Sequence, residues 1–156
     1  MEYDVRRHPQ MRTVAIRHIG PYMGIASAFE RLGNWAAAHD LVDRQMLAVY
    51  YDDPATVPES QLRSDACIEV EPDYPVNDPS VHITIIPAGT YAVGTYVGPY
   101  DALPQAWGEF YGRWFPASRH VMDTNNPCGS FEKYLNDPNY VPPQHLITEL
   151  YQAIMA

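Results

Sequence analysis

Positive charge is scarce in this sequence. Ten Lys and Arg stand against nineteen Asp and Glu in 156 residues, a formal net charge of −9. A surface that grips nucleic-acid phosphates needs the opposite sign, so direct nucleic-acid binding is not expected. A polybasic membrane-surface role falls with it. Long apolar runs are missing as well. None approaches the roughly 18 residues of a membrane-spanning helix. The opening Met1-Glu2-Tyr3-Asp4-Val5-Arg6-Arg7 has no signal-peptide apolar stretch. Cysteine is limited to Cys67 and Cys128, far apart and in no CxxC. That argues against a disulfide framework or a zinc site and makes a reducing cytoplasm the expected location. The six histidines show no metal-ligand spacing, and no GxSxG, HExxH, GxGxxG or phosphate loop occurs. Neither a metal nor a cofactor is expected.

What the chain has instead is apolar bulk. Residues of apolar type make up 46%, with 12 Tyr and 15 Pro. That is too aromatic for a disordered chain and enough for one sizeable core. The sequence also repeats itself. At an offset of 78, Pro9 falls on Pro87, Gly20-Pro21-Tyr22 on Gly98-Pro99-Tyr100, Ala28 on Ala106 and Phe29 on Trp107. At an offset of 84, Tyr50 falls on Tyr134, Asp53-Pro54 on Asp137-Pro138, Val57-Pro58 on Val141-Pro142 and Leu62 on Leu146. The offset changes where residues 39–45 face 117–129, a longer stretch rich in Asn, Pro and Gly that marks an extended loop. The matches keep their order through both halves, which sets them apart from chance coincidence at turns.

Each half carries the same pattern of elements. Glu2–His8 and Arg12–Ile19 are expected strands. A helix starts at Gly20-Pro21 and continues at helical spacing through Ile25, Phe29, Leu32 and Ala36. Met46–Tyr51 and Leu62–Val70 are expected strands, the first closed by the turn Asp52-Asp53-Pro54. The second half repeats this with strands at 81–86 and 90–97, a helix near 100–115, and strands at 130–136 and 146–154. The expected fold is α+β: a single domain over 1–156 built of two repeats, about 1–78 and 79–156. Each unit is a four-stranded antiparallel sheet with one main helix, and the two are related by a pseudo-twofold axis. A ligand groove is expected at their junction.

The repeat also sorts candidate residues. Where one half holds a polar residue and the other does not, the shared fold did not require it. Glu132, in Ser130-Phe131-Glu132-Lys133-Tyr134, faces Ala48 of Met46-Leu47-Ala48-Val49-Tyr50 in the other half. Strand alternation puts Glu132 and Tyr134 on one face, as it puts Met46, Ala48 and Tyr50 on the equivalent face. That face is apolar in the first half, so Glu132 is expected to point inward, where a carboxylate is costly and its pKa rises unless a cation is near. An edge-strand glutamate in solvent, or one paired with an Arg, remains open. Aromatics are the second signal. Trp107, Phe110, Tyr111 and Trp114 recur at helical spacing. Trp35 and the tyrosines at 22, 50, 100, 134 and 151 add to the supply. Such a helical stripe most often serves a core, and the tyrosines are the better ligand candidates, since a buried Tyr hydroxyl needs a partner. Cys128, without a lowered pKa, is an ordinary thiol.

These residues resemble the GyrI-like small-molecule-binding family, which also supplies effector-binding domains of AraC-type and MerR-type regulators. The resemblance is carried by Met1-Glu-Tyr-Asp-Val5, by Arg12-Thr-Val-Ala15 leading to Gly20-Pro21-Tyr22, and by Ala48-Val-Tyr-Tyr-Asp-Asp-Pro54. Leu62–Val70, Ala88-Gly-Thr-Tyr-Ala-Val93 and Phe131-Glu-Lys-Tyr-Leu-Asn-Asp137 complete an ordered set over nearly the whole chain. It looks closest to the stand-alone DNA gyrase inhibitor branch. The resemblance implies tandem modules around a central groove. It places Glu132 in that groove, where it meets cationic aromatic ligands, and puts the loop 117–129 beside the groove.

Three functions follow as expectations. The first is binding of an apolar, cationic small molecule, with Glu132 supplying charge and Tyr134, Tyr50, Trp107, Tyr111, Tyr22 and Tyr100 supplying walls. The second is a contact with DNA gyrase, or protection of it from a toxin, the acidic surface meeting a basic partner. The third is hydrolysis of cyclopropane-containing toxins with Glu132 as general base.

Overall fold

A computed structural model describes residues 1–156. The strands are β1 (Glu2–His8), β2 (Met11–Ile19), β3 (Met46–Tyr50), β4 (Arg63–Glu69), β5 (His82–Ile86), β6 (Gly89–Val97), β7 (Ser130–Tyr134) and β8 (Ile147–Ala153). The helices are α1 (Ala26–Ala38), α2 (Leu103–Glu109) and the short α3 (Phe115–Ser118). The expected elements are therefore present, with two differences. After Gly20-Pro21 the chain first makes a 3₁₀ turn, Tyr22–Ile25, before α1 begins. The second helix is also irregular. A five-residue π turn, Phe110–Trp114, joins α2 to α3.

The two expected four-stranded units are continuous. All eight strands form one antiparallel sheet in the order β1-β6-β8-β7-β3-β4-β2-β5. This order reads the same when β1 to β4 are exchanged with β5 to β8. The halves of the sheet are not the halves of the sequence. The first strand of each half sits on the other half's side: β1 pairs with β6, and β5 pairs with β2. The central seam is β3·β7, where Ala48 lies opposite Glu132. These two positions are also equivalents at offset 84, so the strand order is symmetric about this seam.

Connection lengths force the sheet to curl. Only Pro9 and Gln10 separate β1 from β2, a reach of about 11 Å. Yet β1 and β2 stand six positions apart in the strand order, about 29 Å in a flat sheet. Pro87 and Ala88 set the same constraint on β5 and β6. The curl gives an inner face, where Leu47, Val49, Tyr91, Val93, Phe131 and Tyr151 form one core. Phe131 and Tyr151 stack there with ring centroids 4.4 Å apart.

The helices cover the outer face. Ala28, Leu32 and Ala36 of α1 pack on Val14, Ile16, Ala48, Ala66 and Ile68. Leu103, Ala106 and Phe110 pack on Ala92 and Leu150. Ala48, Ala66 and Ala92 are small enough to let the helices approach closely.

The turn before each helix depends on glycine. Gly20 has φ +129° and Gly98 φ +152°, a region that side chains rarely adopt. A Cβ at Gly98 would also stand 2.5 Å from the Tyr96 hydroxyl. Gly98→Ala is expected to lower stability by about 1–3 kcal/mol. The readout is an earlier urea midpoint at unchanged slope.

Candidate functional site

Between α1 and α2 the outer face of β3 and β7 forms a floor. Its middle row is Ala66, Ala48, Glu132 and Leu150, one residue from each of β4, β3, β7 and β8. Glu132 is thus the only charged side chain in a row of aliphatic ones. It is 2% exposed. The edge-strand alternative is removed by this burial. The arginine alternative is removed too, because no ion pair involves Glu132.

Three neutral donors hold the carboxylate. Oε1 accepts from the Tyr50 hydroxyl at 2.7 Å and the Tyr134 hydroxyl at 2.6 Å. Oε2 accepts from the Trp107 indole Nε1–H at 2.7 Å. Burial raises the Glu132 pKa above the usual carboxylate range, and the donors from Tyr134, Tyr50 and Trp107 pull it part of the way back. Burial and the nearby carboxylate push both tyrosine hydroxyls well above their ordinary value, so they stay protonated as donors.

The symmetry explains the tyrosine pair. Tyr50 and Tyr134 are equivalent positions on either side of the seam, and both reach the Glu132 carboxylate. Ala48 leaves the room. A second glutamate at 48 would sit directly opposite Glu132, about 4.5–5.5 Å away at Cβ, and repel it.

The remaining expected wall residues gather round this centre. Tyr22 lies 4.7 Å from Tyr50, ring to ring, and Tyr100 lies 5.4 Å from Tyr134. The Tyr22 hydroxyl donates to the Asp52 carbonyl at 2.5 Å and accepts from the Asp52 N–H at 2.9 Å, which fixes the ring. Tyr111 stacks on Trp107 at 5.2 Å, 16° from parallel. The aromatic stripe of the second helix therefore divides. Trp107 and Tyr111 turn to the floor between the helices, while Phe110 is wholly buried in the core. Phe29, the counterpart of Trp107, meets Tyr134 edge-on at 5.7 Å. Trp35 and Tyr151 do not join the group. Trp35 bonds Asp78 and Tyr151 lies on the inner face.

The carboxylate is closed over. Tyr50, Tyr134 and Trp107, which close it, are each only half-buried. Tyr134→Phe removes a donor to the charged form, so the Glu132 pKa is expected to rise further. An NMR titration of the glutamate carboxyls, wild type against variant, reads this directly.

One expectation is corrected. The loop before β7 does not wall this site. Its bonds go to β8 and to the inner face: Asp123 N–H to the Ala153 carbonyl, Asn126 Nδ2 to the Tyr91 hydroxyl, and Cys128 Sγ to the Ile85 carbonyl. The strand exchange causes this, since β5 and β6 meet beneath the loop. Burial pushes the Cys128 thiol up to about 11, in keeping with an unreactive side chain. No group of three or more His, Cys, Asp or Glu side chains is placed to hold a metal ion, and no helix is long and apolar enough to cross a membrane.

Two site neighbours were not singled out from the sequence, Ser130 and Gln152. Ser130 shares the face of β7 with Glu132, and Gln152 is paired with it from β8. The Tyr111 hydroxyl donates to Gln152 Oε1 at 2.7 Å and lies 3.1 Å from Ser130 Oγ. The half-to-half comparison held the signal, because their counterparts Met46 and Ile68 are apolar.

With this geometry in hand, the chain can be compared with known proteins. The pattern of the GyrI-like small molecule binding domain matches residues 1–155. A protein of Enterobacter lignolyticus named DNA gyrase inhibitor is 34% identical over 142 residues, covering 89% of this chain and 88% of its own. Among solved structures, EcmrR in a cryo-EM complex with DNA superposes with a TM-score of 0.79 at 16% identity, over 98% of this chain and 57% of its own. SAV2435 bound to tetraphenylphosphonium gives 0.69 at 15% identity, over 100% and 95% of the two chains. A hydrolase encoded by lin2189 from Listeria innocua gives 0.67 at 12% identity, over 99% and 92%.

Proposed function

Because this chain belongs to the GyrI-like small-molecule-binding family, we propose that it binds an apolar aromatic cation between α1 and α2, with Glu132 as counter-ion. One observation carries the reading. Glu132 is a buried carboxylate with three neutral donors and no cation, in a shell of rings. Such a group is costly to keep unpaired. A ligand cation would offset that cost, and the rings would supply stacking and cation–π contact. The related fold bound to tetraphenylphosphonium is a precedent for the ligand class. The ligand-binding residues of this reading are Glu132, Tyr134, Tyr50, Trp107, Tyr111, Tyr22 and Tyr100. Calorimetric titration with tetraphenylphosphonium and with planar cations tests it. Absence of binding by the wild type across such a panel refutes it.

A gyrase-directed role for this chain is a second reading, supported by the name of its 34%-identical relative. Net charge −9 suits a basic partner face, and such contacts weaken with salt. A supercoiling assay with excess protein across a salt series decides it, because unaltered gyrase removes the role. Hydrolysis of a cyclopropane-containing toxin fits less well. A general base needs a free lone pair, and the three hydrogen bonds that Glu132 accepts leave it about one of four.

A further inference from the structure

Next to Glu132 lies a chain of hydrogen bonds whose direction is fixed from one end. Gln152 Nε2 donates to the Ala153 carbonyl at 2.9 Å. That bond turns Gln152 Oε1 toward Tyr111, whose hydroxyl hydrogen is committed to it at 2.7 Å. With that hydrogen used, Ser130 Oγ at 3.1 Å must be the donor to the Tyr111 oxygen. Ser130 has then spent its only hydrogen, and its lone pairs are left for a visitor. Ser130 is half-buried and stands two residues from Glu132 on the same strand face, roughly 7 Å along β7. The stacked rings of Trp107 and Tyr111 bridge the two positions, one bonded to Glu132 and the other to Ser130 and Gln152.

The fold does not demand this arrangement. The equivalent residues in the other half are Met46 for Ser130, Ile68 for Gln152 and Gly33 for Tyr111, all without side-chain polar groups. Tyr111 itself lies in the π turn Phe110–Trp114, whereas α1 runs without such an interruption. A π turn is rare and occurs frequently at functional sites. These three polar residues, peculiar to the second half, therefore collect beside the buried carboxylate of Glu132.

We infer that Ser130, oriented by Tyr111 and Gln152, is an acceptor subsite that selects aromatic cations carrying an N–H or O–H donor several ångström from the centre of charge. This rests on the cation-binding reading above and extends it. A cation without such a donor fills the aromatic shell but leaves Ser130 unpaired.

Two planar acridine dyes separate the terms. Proflavine carries primary amino groups, and acridine orange has the same ring and charge but dimethylated nitrogens that cannot donate. Both are titrated by fluorescence against the wild type, Ser130→Ala, Tyr111→Phe and Glu132→Gln. Ser130→Ala is expected to weaken proflavine about 5- to 10-fold and acridine orange less than twofold. Tyr111→Phe, which frees Ser130 to turn its hydrogen outward, is expected to shift the same preference. Equal effects of Ser130→Ala on both dyes, or none on proflavine, overturn the subsite while the cation reading stands. Binding of neither dye by the wild type, or binding that survives unchanged in Glu132→Gln, overturns both.

Discussion

Glu132→Gln is expected to cost an aromatic monocation roughly 30- to 1,000-fold in affinity, about 2–4 kcal/mol. The variant keeps the shape of the side chain, so Tyr50, Tyr134 and Trp107 still form the shell. Only the charge and one acceptor are lost. Stacking alone would then have to retain the ligand, and aromatic pairs contribute about 0.5–1.5 kcal/mol each beyond area burial. The wild type adds a pH signature. Its carboxyl is held above the ordinary carboxylate value by burial, and a cation favours the ionised form. Affinity should therefore climb as pH rises through the shifted pKa, with a proton released on binding in that range. Glu132→Gln should show a flat profile. Calorimetry in buffers of different ionisation enthalpy counts the proton. A variant that binds as tightly as the wild type at neutral pH rules out a counter-ion role.

The same shift has a consequence for stability without ligand. A carboxyl whose folded pKa is raised binds its proton more tightly in the native state. Its contribution is favourable below the unfolded value near 4.3 and is lost as pH rises through the folded value. Glu132 thus adds least to the stability of the unliganded fold where its carboxyl is ionised.

Asp65→Ala is expected to have the largest effect on folding. Asp65 lies on the inner side of β4 and is wholly buried. Arg17 Nε donates to it at 2.7 Å, the Tyr51 hydroxyl at 2.6 Å, the Thr84 hydroxyl at 2.8 Å, and His82 Nε2 lies at 3.1 Å. These partners tie β2, β5 and the residue that follows β3 to β4 through one side chain. Removing it strands a guanidinium and two hydroxyls. Breaking a buried pair costs about 3–5 kcal/mol, and because the Arg17 side chain is 38% exposed the lower end, about 3 kcal/mol, is expected. Chemical denaturation reads it, with Arg63→Ala as the control. Arg63 pairs with Asp52 at the surface and should change stability by less than about 1 kcal/mol.

The pH sign here is opposite to that of Glu132. Burial would raise the Asp65 pKa, but His82, Arg17, Tyr51 and Thr84 together hold it well below the usual range. Its contribution is therefore present above the unfolded value near 3.9 and is lost as pH falls below it. Two buried acids on opposite faces of one sheet thus respond to pH in opposite directions. The difference lies in the partners: an arginine and a histidine for one, only neutral donors for the other. A wild-type stability profile that falls in acid, and a Asp65→Ala profile that is flatter there, would bear this out.

Strand alternation and the half-to-half comparison pointed to burial of Glu132, because both signals are local and periodic, but only the structure removed the solvent-facing and arginine-paired alternatives. The same two signals also set the strands and helices to within a few residues. Gly20 and Gly98 mark the same turn in both halves, and Ala48 opposite Glu132 follows once the seam is known. Partner choice was beyond local pattern. Nothing in Glu2–His8 says that it pairs with β6 rather than β2, since pairing is set by how far a two-residue connection can reach and which core closes over it. The strand exchange in turn decided that the loop 119–129 covers the inner face. The rotation of the second helix was beyond reach for a similar reason. A π turn shifts every later side chain round the axis, so helical spacing alone could not divide Trp107 and Tyr111 from Phe110. The amino-acid order by itself determined one unmatched carboxylate among aromatics. Only the tertiary structure decided that three neutral donors and no cation surround it, because those donors come from β3, β7 and α2, which are brought together by the β3·β7 pairing and by the packing of α2 on the sheet.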